Sequence, residues 1–309
     1  MRLVTIDDIR TAAGRIAPVA VHTPLAPVGD LLVKPESLQR VGSFKIRGAY
    51  NAVAALRPAG VVTHSSGNHG QALAYAAARF GIPCVVVVPE GTPQVKADAI
   101  RGHGAKLVVV PPDRRHSAAA ELAAKRDLTL VPPFDHPAVI AGQGTIGLEI
   151  LSDLPDVEVI AVPVSGGGLI SGVAAAVKAL RPQATVIGVE PELAADAAES
   201  LAAGRLITWE PARTFRTAAD GLRAELSELT FAHLRAHVDA VVTVTEDEIR
   251  AAMRHLALAG RLVAEPSGAV ATAAHLAGKL PGGRTVALLS GGNVDPALLR
   301  DVLQAADQV

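Results

Sequence analysis

Short apolar segments rich in Val, Ile and Leu alternate with Ala-rich segments along most of the chain. Apolar runs of about four to eight residues between Gly or Pro turns are typical of buried strands, and the Ala-rich segments between them are long enough for helices. The alternation runs from residue 60 to 137 and resumes on a larger scale after residue 142. Repeated strand–helix–strand units predict parallel sheets with helices on their faces.

Strands are predicted at residues 31–34, 61–63, 84–88, 106–110, 128–131, 157–163, 185–190, 240–244 and 285–289. Helices are predicted at residues 5–16, from Ala49 onward, and at 70–80, 93–102, 117–126, 142–151, 169–180, 226–237, 247–259, 267–276 and 295–306. Thr5 is a suitable N-cap for the first helix, and Thr245 with Glu248 forms a capping box for the helix at 247–259.

The predicted fold is α/β, with two open parallel-sheet domains. Residues 60–137 form a small domain that closes over the substrate, inserted into a large domain of residues 1–59 and 138–309. Ligands of open α/β sheets bind beyond the carboxyl ends of the strands. We therefore expect the functional site in the cleft between the two domains.

Composition narrows the classes of function. The 309 residues carry a net charge of −1 and 3% aromatic residues, so nothing indicates binding of nucleic acid or of an anionic membrane. The single cysteine, Cys84, has no partner for an internal disulfide. There is no apolar signal core at the N-terminus and no apolar run long enough to span a bilayer. We expect a cytoplasmic protein that binds a small molecule.

One lysine stands in a segment that suits amine chemistry, residues 42–50. Lys45 lies just before the helix predicted from Ala49, and the positive end of a helix dipole favours the neutral form of an amine. A neutral amine beside a cofactor aldehyde is what Schiff-base chemistry requires. Taken alone, the segment is better explained as an ordinary surface lysine before a helix.

A glycine-rich loop follows the strand predicted at 157–163. Ser165, Gly166, Gly167, Gly168 and Leu169 end that strand and open a helix. Consecutive backbone N–H groups at a helix N-terminus bind phosphate, although a tight structural turn explains the same residues. The loop lacks the Gly-x-Gly-x-x-Gly spacing of dinucleotide folds and the Gly-Lys-Ser/Thr of a P-loop.

Two further loops stand at predicted strand ends. Residues 65–71 combine two hydroxyls, an amide and helix N-terminal N–H groups, which suit a carboxylate or simply cap the helix. His69 in this loop reads as a packed histidine rather than a base. The third loop, residues 290–293, begins with Ser290, whose hydroxyl can meet a heteroatom without adding charge.

Together the segments resemble the fold-type II pyridoxal-phosphate enzymes, in the serine/threonine dehydratase and serine racemase group, and the similarity covers nearly the whole chain. Residues 42–49 resemble the cofactor-lysine motif, 65–71 the substrate-carboxylate loop, 165–169 the phosphate loop and 290–293 the pyridine-nitrogen loop. Residues 141–145 are a further marker of the family. The resemblance implies a tryptophan synthase β-like fold, pyridoxal 5′-phosphate as cofactor, an amino acid as substrate and a homodimer.

The resemblance also implies roles for individual residues. Lys45 forms the internal aldimine and moves protons, Phe44 and Gly221 sandwich the cofactor ring, and Ser290 meets the ring nitrogen. Asn68 contacts the phenolic oxygen of the cofactor. The phosphate is held by Ser165, Gly166, Gly167, Gly168 and Leu169. The substrate carboxylate is held by Ser65, Ser66, Gly67, Asn68 and His69.

The implied reaction is β-elimination from L-serine or L-threonine to a 2-oxo acid and ammonia, because a neutral serine cannot stabilise a pyridinium. Racemisation of serine is the alternative, with Ser66 as a second base opposite Lys45. Racemases commonly carry an arginine ahead of Glu121, where this chain has Ala119 and Ala120. Two other classes, a non-catalytic binding protein and a nicotinamide oxidoreductase, fit the motifs less well.

A divalent-cation site is implied as well. Glu190, Asp196 and the carbonyl of Ala194 resemble the cation site of serine racemases, and carboxylate and carbonyl oxygens are ligands for Mg²⁺ or a similar ion. An acidic, solvated loop after a strand explains the same residues.

Overall fold

In residues 2–304, which the computed structural model describes, the strands form two separate sheets. The six strands of the larger sheet, in spatial order, are β1 (Ala26–Val28), β2 (Leu31–Pro35), β10 (Thr285–Leu289), β7 (Val159–Pro163), β8 (Thr185–Pro191) and β9 (Ala240–Val244). The four strands of the smaller sheet are β5 (Lys106–Val110), β4 (Cys84–Pro89), β3 (Val61–Thr63) and β6 (Thr129–Leu130). The predicted α/β class is confirmed.

Every strand pair is parallel except that of β1 and β2 at the edge of the larger sheet. The strand β1 was not predicted, since its three residues include Pro27 and carry no alternating pattern. Proline is tolerated on an edge strand, where no neighbour needs its missing N–H. The helices Asn68–Phe80 and Gln94–Arg101 each connect two neighbouring parallel strands of the smaller sheet, and the helix Gly168–Leu180 connects two of the larger sheet, as the alternation predicts.

The helices are α1 (Ile6–Ile16), α2 (Lys45–Leu56), α3 (Asn68–Phe80), α4 (Gln94–Arg101), α5 (Arg115–Arg126), α6 (Pro137–Asp153), α7 (Gly168–Leu180), α8 (Asp196–Ala203), α9 (Pro211–Thr214), α10 (Glu228–His237), α11 (Glu246–Leu258), α12 (Pro266–Leu276) and α13 (Pro296–Gln304). The capping groups predicted at Thr5 and at Thr245 with Glu248 are present. The end of the last predicted helix, residues 305 and 306, lies outside the described residues.

The predicted start of α2 at Ala49 is wrong, because the helix begins at Lys45 and contains Gly48 in its first turn. A Cβ on Gly48 would lie 2.3 Å from the Nε2 atom of Gln143 on α6. Gly48 therefore allows α2 and α6 to approach each other closely. From the sequence alone, this glycine resembled a helix boundary.

The predicted start of α6 at Gly142 is wrong for the same reason. The helix begins at Pro137, after His136 as N-cap, and proline suits a first helical position. A Cβ on Gly142 would lie 2.6 Å from the carbonyl oxygen of Arg47. The glycines of α6 are interior residues that allow α2 to pack against its backbone.

The four strands of the smaller sheet fall within the predicted small domain, residues 60–137. Its hydrophobic core nevertheless includes side chains of α2, among them Ile46, Ala49 and Val53, which are buried together with Leu73 of α3. The helix α2 thus packs against both halves of the molecule. The domain boundaries stay a prediction.

A network of buried charges ties α2 to the larger sheet. Arg47 and Glu36 are both 0% exposed, and two guanidinium nitrogens of Arg47 donate to the two carboxylate oxygens of Glu36 at 2.7 and 2.8 Å. Arg47 also donates to Glu149 on α6 at 2.6 Å, and the buried amine of Lys34 lies 2.7 Å from the same carboxylate. Two positive and two negative charges therefore balance one another.

The pKa of Glu36 shows which effect dominates in this network. Burial alone would raise the pKa of the carboxyl, but the charge and hydrogen bonds of Arg47 outweigh it and hold that pKa below its ordinary value. The pair is therefore ionised at neutral pH, and each partner depends on the other.

We expect Arg47→Met to lower the free energy of unfolding by about 3–5 kcal/mol, because Glu36 is left buried without a counter-charge. The measurement is urea denaturation of the purified variant. The double variant Glu36→Gln with Arg47→Met should lose less than the sum of the two single losses. Arg114→Met, which breaks the exposed pair with Glu121, is the control and should cost about 0–1 kcal/mol. If Arg47→Met lowered the free energy of unfolding by no more than the Arg114→Met control does, a structural role for the network would be contradicted.

Candidate active site

The lysine segment is paired with the loop that follows β10. The backbone N–H of Phe44 donates to the carbonyl of Ser290 at 3.0 Å, and that of Gly292 donates to the carbonyl of Gly42 at 2.9 Å. Gly42 has φ +70°, and a Cβ there would lie 2.4 Å from Oδ1 of Asn293, so only glycine fits. Lys45 is thereby held at the carboxyl end of the larger sheet.

The surroundings of the Lys45 amine favour its neutral form. Its Nζ atom donates to the carbonyl oxygen of Pro133 at 2.9 Å and lies 5.0 Å from the centre of the Phe44 ring. Burial lowers the pKa of the amine to about 8. A substantial fraction of Lys45 is therefore neutral near physiological pH, as nucleophilic and proton-transfer chemistry requires.

The loop after β3 ends at Asn68, whose side chain contacts Asn293 in the loop after β10. Ser65 and Ser66 are half-buried, and the hydroxyl of Ser65 accepts a long hydrogen bond from the N–H of Gly67 at 3.4 Å. A Cβ on Gly70 would lie 2.1 Å from the carbonyl oxygen of Ser65, which makes the turn dependent on glycine. The N–H groups of the first turn of α3 remain available to a carboxylate.

His69 is buried and neutral. Its Nε2 atom donates to the carbonyl of Val131 at 3.0 Å, which assigns the hydrogen to Nε2, and Nδ1 has no partner among residues 2–304. Burial, and then the charge of Lys45, lowers the pKa of His69 to about 3. This agrees with a packed histidine that donates one hydrogen bond, and the low pKa disfavours a charged imidazolium at neutral pH.

The glycine loop after β7 leaves no room for side chains. A Cβ on Gly166 would lie 2.3 Å from the ring of Phe134, one on Gly168 would lie 2.7 Å from Cβ of Phe134, and Gly167 has φ +82°. The first backbone N–H of the helix that bonds back along the chain is that of Ser171. The N–H groups ahead of it are free to hold a phosphate.

The side chains of the two residues that flank these glycines have partners within the protein. The hydroxyl of Ser165 accepts from the N–H of Ala224 at 3.0 Å and donates to its carbonyl at 3.2 Å. The side chain of Leu169 is buried in the hydrophobic core. Each therefore has only its backbone N–H to offer a phosphate, and their predicted contact with the cofactor stays a prediction.

Ser290 and Gly221 are connected through Ser267 on α12. The Ser290 hydroxyl is buried and donates to the carbonyl of Ser267 at 3.4 Å, while the N–H of Gly221 donates to the Ser267 hydroxyl at 2.9 Å. The long bond of Ser290 leaves its hydroxyl able to turn toward another acceptor or donor. Phe44 is thus linked to Ser290 by a backbone hydrogen bond, and Gly221 to Ser290 through Ser267. The predicted placement of these residues around a cofactor ring stays a prediction.

Two site residues were missed at the level of sequence, Glu265 and Asn293. The Nδ2 atom of Asn68 donates to Oε1 of Glu265 at 2.6 Å, and Nδ2 of Asn293 donates to Oδ1 of Asn68 at 2.7 Å. Asn293 was part of the recognised loop without an assigned role. Glu265 carried only the signal of an acidic residue before Pro266 at a helix start.

The residues predicted to bind a cation lie at the carboxyl end of β8 and just after it. Glu190 is 0% exposed and accepts from the N–H groups of Ala197 and Ala198 at 3.1 and 2.8 Å, so it caps α8, a helix that was not predicted. Burial, and then Asp196, raises the pKa of Glu190 well above its ordinary value, and burial raises that of Asp196 to about 6. Within residues 2–304 no three His, Cys, Asp or Glu side chains form a metal cluster, and Oδ2 of Asp196 has no partner.

These features fit pyridoxal phosphate. The glycine loop, whose backbone N–H groups ahead of Ser171 are free, suits a phosphate, and the amine of Lys45, with its lowered pKa, suits an aldehyde. The neutral hydroxyl of Ser290 suits a ring nitrogen. The sequence model of pyridoxal-phosphate-dependent enzymes matches residues 16–291. The chain belongs to this family. Its dependence on pyridoxal phosphate follows, as the motifs predicted.

Relatives of two activities resemble the chain to nearly the same degree. L-threonine ammonia-lyase of Thermotoga maritima is 42% identical, over 97% of this chain and 78% of that protein. Serine racemase of Oryza sativa is 40% identical, over 96% of this chain and 93% of that protein. The structure of maize serine racemase matches with a TM-score of 0.92 and 38% identity, over 97% of both chains. The predicted group of enzymes is confirmed, and the reaction within the group is not separated by identity.

We expect the cofactor-free protein to take up pyridoxal phosphate faster as the pH rises through about 8, since burial disfavours the ammonium form of Lys45 and lowers its pKa from 10.5. The measurement is the growth of the visible absorbance of the bound cofactor at a series of pH values. Lys45→Ala should abolish both this absorbance and any borohydride-stable link to the protein, and Lys106→Ala, an exposed lysine on β5, is the control. A midpoint near the ordinary pKa of lysine would be inconsistent with the buried amine.

Proposed function

We propose that the protein is an ammonia-lyase that converts L-serine or L-threonine to a 2-oxo acid and ammonia. The observation that carries this proposal is the neutral hydroxyl of Ser290, which is buried beside the lysine segment where the family holds the ring nitrogen. When bound, pyridoxal phosphate supplies an electron sink that acidifies the α-hydrogen of an amino acid. With no acidic partner at the nitrogen, negative charge is not stored for long, which favours early loss of a β-substituent.

Different residues of the site are suited to different steps of such a reaction. The N–H groups at the start of α3, with the hydroxyls of Ser65 and Ser66, are suited to hold the substrate carboxylate. Lys45, with its lowered pKa, is suited to take the proton from Cα near neutral pH. The α-hydrogen and the β-hydroxyl leave as water, and hydrolysis then returns one water and releases ammonia. The glycine loop anchors the phosphate and takes no part in proton transfer.

Serine racemase activity is the second candidate, and Ser66 favours it. Racemisation requires a proton donor on the face of Cα opposite Lys45, and a hydroxyl in the carboxylate loop is a suitable group. The serine racemase relatives of rice and maize support this candidate to the same degree as the threonine ammonia-lyase supports the first. The association into homodimers implied by the family stays a proposal for either activity.

One assay with L-serine separates the two reactions. We expect pyruvate to accumulate faster than D-serine, and Lys45→Ala to stop both products. Ser66→Ala should lower D-serine formation by about 100-fold or more, the usual effect of removing a general acid or base, while pyruvate formation falls much less. Formation of D-serine without pyruvate would place the racemase above the ammonia-lyase. If a protein that retains bound cofactor formed no pyruvate and no D-serine, both candidates would be contradicted.

We also propose that Glu190 and Asp196, with the Ala194 carbonyl, bind a divalent cation. Two buried carboxylates without an ion pair among the described residues, and the unpartnered Oδ2 of Asp196, support this. Oxygen ligands of this kind suit Mg²⁺ or Ca²⁺, with waters to complete the shell.

We expect chelation with EDTA to lower the melting temperature and addition of Mg²⁺ to restore it, because the cation neutralises buried negative charge. Asp196→Asn should abolish the response to both reagents, whereas Glu199→Gln, on the same helix, should preserve it. A melting temperature that is indifferent to EDTA and to added Mg²⁺, Ca²⁺ or Mn²⁺ would indicate that Glu190 only caps α8.

A further inference from the structure

Glu265 is a buried carboxyl inside the cleft that the proposed reaction leaves without a role. It lies at the N-cap position of α12, is 6% exposed and receives the Nδ2 hydrogen bond of Asn68 at 2.6 Å. Its own N–H donates to the carbonyl of Gly291 at 3.1 Å, and a Cβ on Gly291 would lie 2.3 Å from its Oε1 atom. The carboxyl is therefore fixed between Asn68 and the loop that begins at Ser290.

The hydrogen bonds around Asn68 have a single consistent direction. Asn293 donates from Nδ2 to the carbonyl of Val41 at 2.9 Å, which identifies that atom as nitrogen, because a carbonyl only accepts. The same nitrogen donates to Oδ1 of Asn68 at 2.7 Å, so the other end of the Asn68 amide is its NH₂ group. One hydrogen of that group goes to Glu265. Among residues 2–304 no other acceptor takes the second hydrogen.

We propose that Glu265 is a positioning residue that fixes the amide of Asn68, so that the second Nδ2 hydrogen is held toward the ring oxygen of bound pyridoxal phosphate. Asn293 sets the orientation of the amide from one end and Glu265 from the other. A glutamine or a carboxylic acid at position 265 keeps an acceptor there, and an alanine removes it. The inference requires pyridoxal phosphate in the cleft, and it holds for a lyase and a racemase alike.

The ionisation of Glu265 then affects the cofactor. Burial, above all, raises the pKa of Glu265 to about 7, the hydrogen bond of Asn68 lowers it, and the charges of Asp220 and Lys96 act in opposite directions. Asp220 and Lys96 form an ion pair with each other, so their effects largely offset. A carboxylate is a stronger acceptor than the acid and draws the Asn68 amide toward itself. The hydrogen bond offered to the ring oxygen therefore weakens as the pH rises through about 7.

The test is a pH titration of the visible absorbance of the holoenzyme, together with the dissociation constant of pyridoxal phosphate. The wild-type absorbance should shift with a midpoint near the pKa of about 7. Glu265→Gln should lose this midpoint and bind the cofactor within about threefold of wild type, because its carbonyl still accepts from Asn68. Glu265→Ala should bind the cofactor about tenfold more weakly, the effect of one oriented hydrogen bond.

Glu248→Gln is the matched control, since it removes a carboxylate from the first turn of the neighbouring helix α11. It should change the melting temperature without changing the absorbance titration or the cofactor affinity. The proposal is overturned if Glu265→Gln titrates like wild type, or if Glu265→Ala binds the cofactor with unchanged affinity and absorbance. Should Glu265→Ala not fold, the comparison of wild type, Glu265→Gln and Glu248→Gln still decides. These readouts do not use turnover, so a failure of the proposed reaction leaves them intact.

Discussion

The buried pair of Arg47 and Glu36 is the interaction on which the candidate site depends. Arg47 lies two residues after Lys45, in the first turn of α2, and joins that turn to the end of β2 and to Glu149 of α6. A buried charge without its partner costs several kcal/mol, so the network is complete in one register of α2 only. We infer that this register places Lys45 at the start of the helix, where its amine meets the carbonyl of Pro133.

Close helix packing brings the other groups to the same place. Gly48 of α2 and Gly142 of α6 let the two backbones approach, and Gly144 of α6 meets Gly172 of α7, where a Cβ would lie 2.2 Å from the carbonyl of Ile140. Side chains at these positions would separate the three helices. The glycine loop at the start of α7 would then move away from the start of α2. The charge network therefore fixes the register of α2, and the glycines allow α2, α6 and α7 to pack closely against one another.

The strand-end loops could be predicted from the sequence, because the carboxyl ends of parallel strands meet at one edge whatever the details of packing. This rule joins Lys45 and Ser290, which follow neighbouring strands of the larger sheet. Asn68 follows β3 of the smaller sheet, so only the resemblance to the enzyme family predicts it in the same site. The contacts of Asn68 with Glu265 and Asn293 could not be predicted in this way, because Asn68 is 197 and 225 residues from them and local patterns do not reveal side-chain partners. The predicted starts of α2 and α6 were wrong because glycines inside these helices resembled helix boundaries. The packing partners of those glycines are likewise distant in sequence.

Burial moves each ionisable group of the cleft toward neutrality, lowering the pKa of Lys45 to about 8 and that of His69 to about 3, and raising that of Glu265 to about 7. In the proposed function, the anionic phosphate and carboxylate would be bound by backbone N–H groups, whose dipoles add no mobile charge. A lysine with a pKa near 8 can both accept and return a proton close to neutral pH. Elimination and racemisation share that requirement, so Lys45 does not distinguish them. For the two proposed reactions, the difference would lie on the opposite face of Cα, where we propose that Ser66 either delivers a proton or only holds the carboxylate.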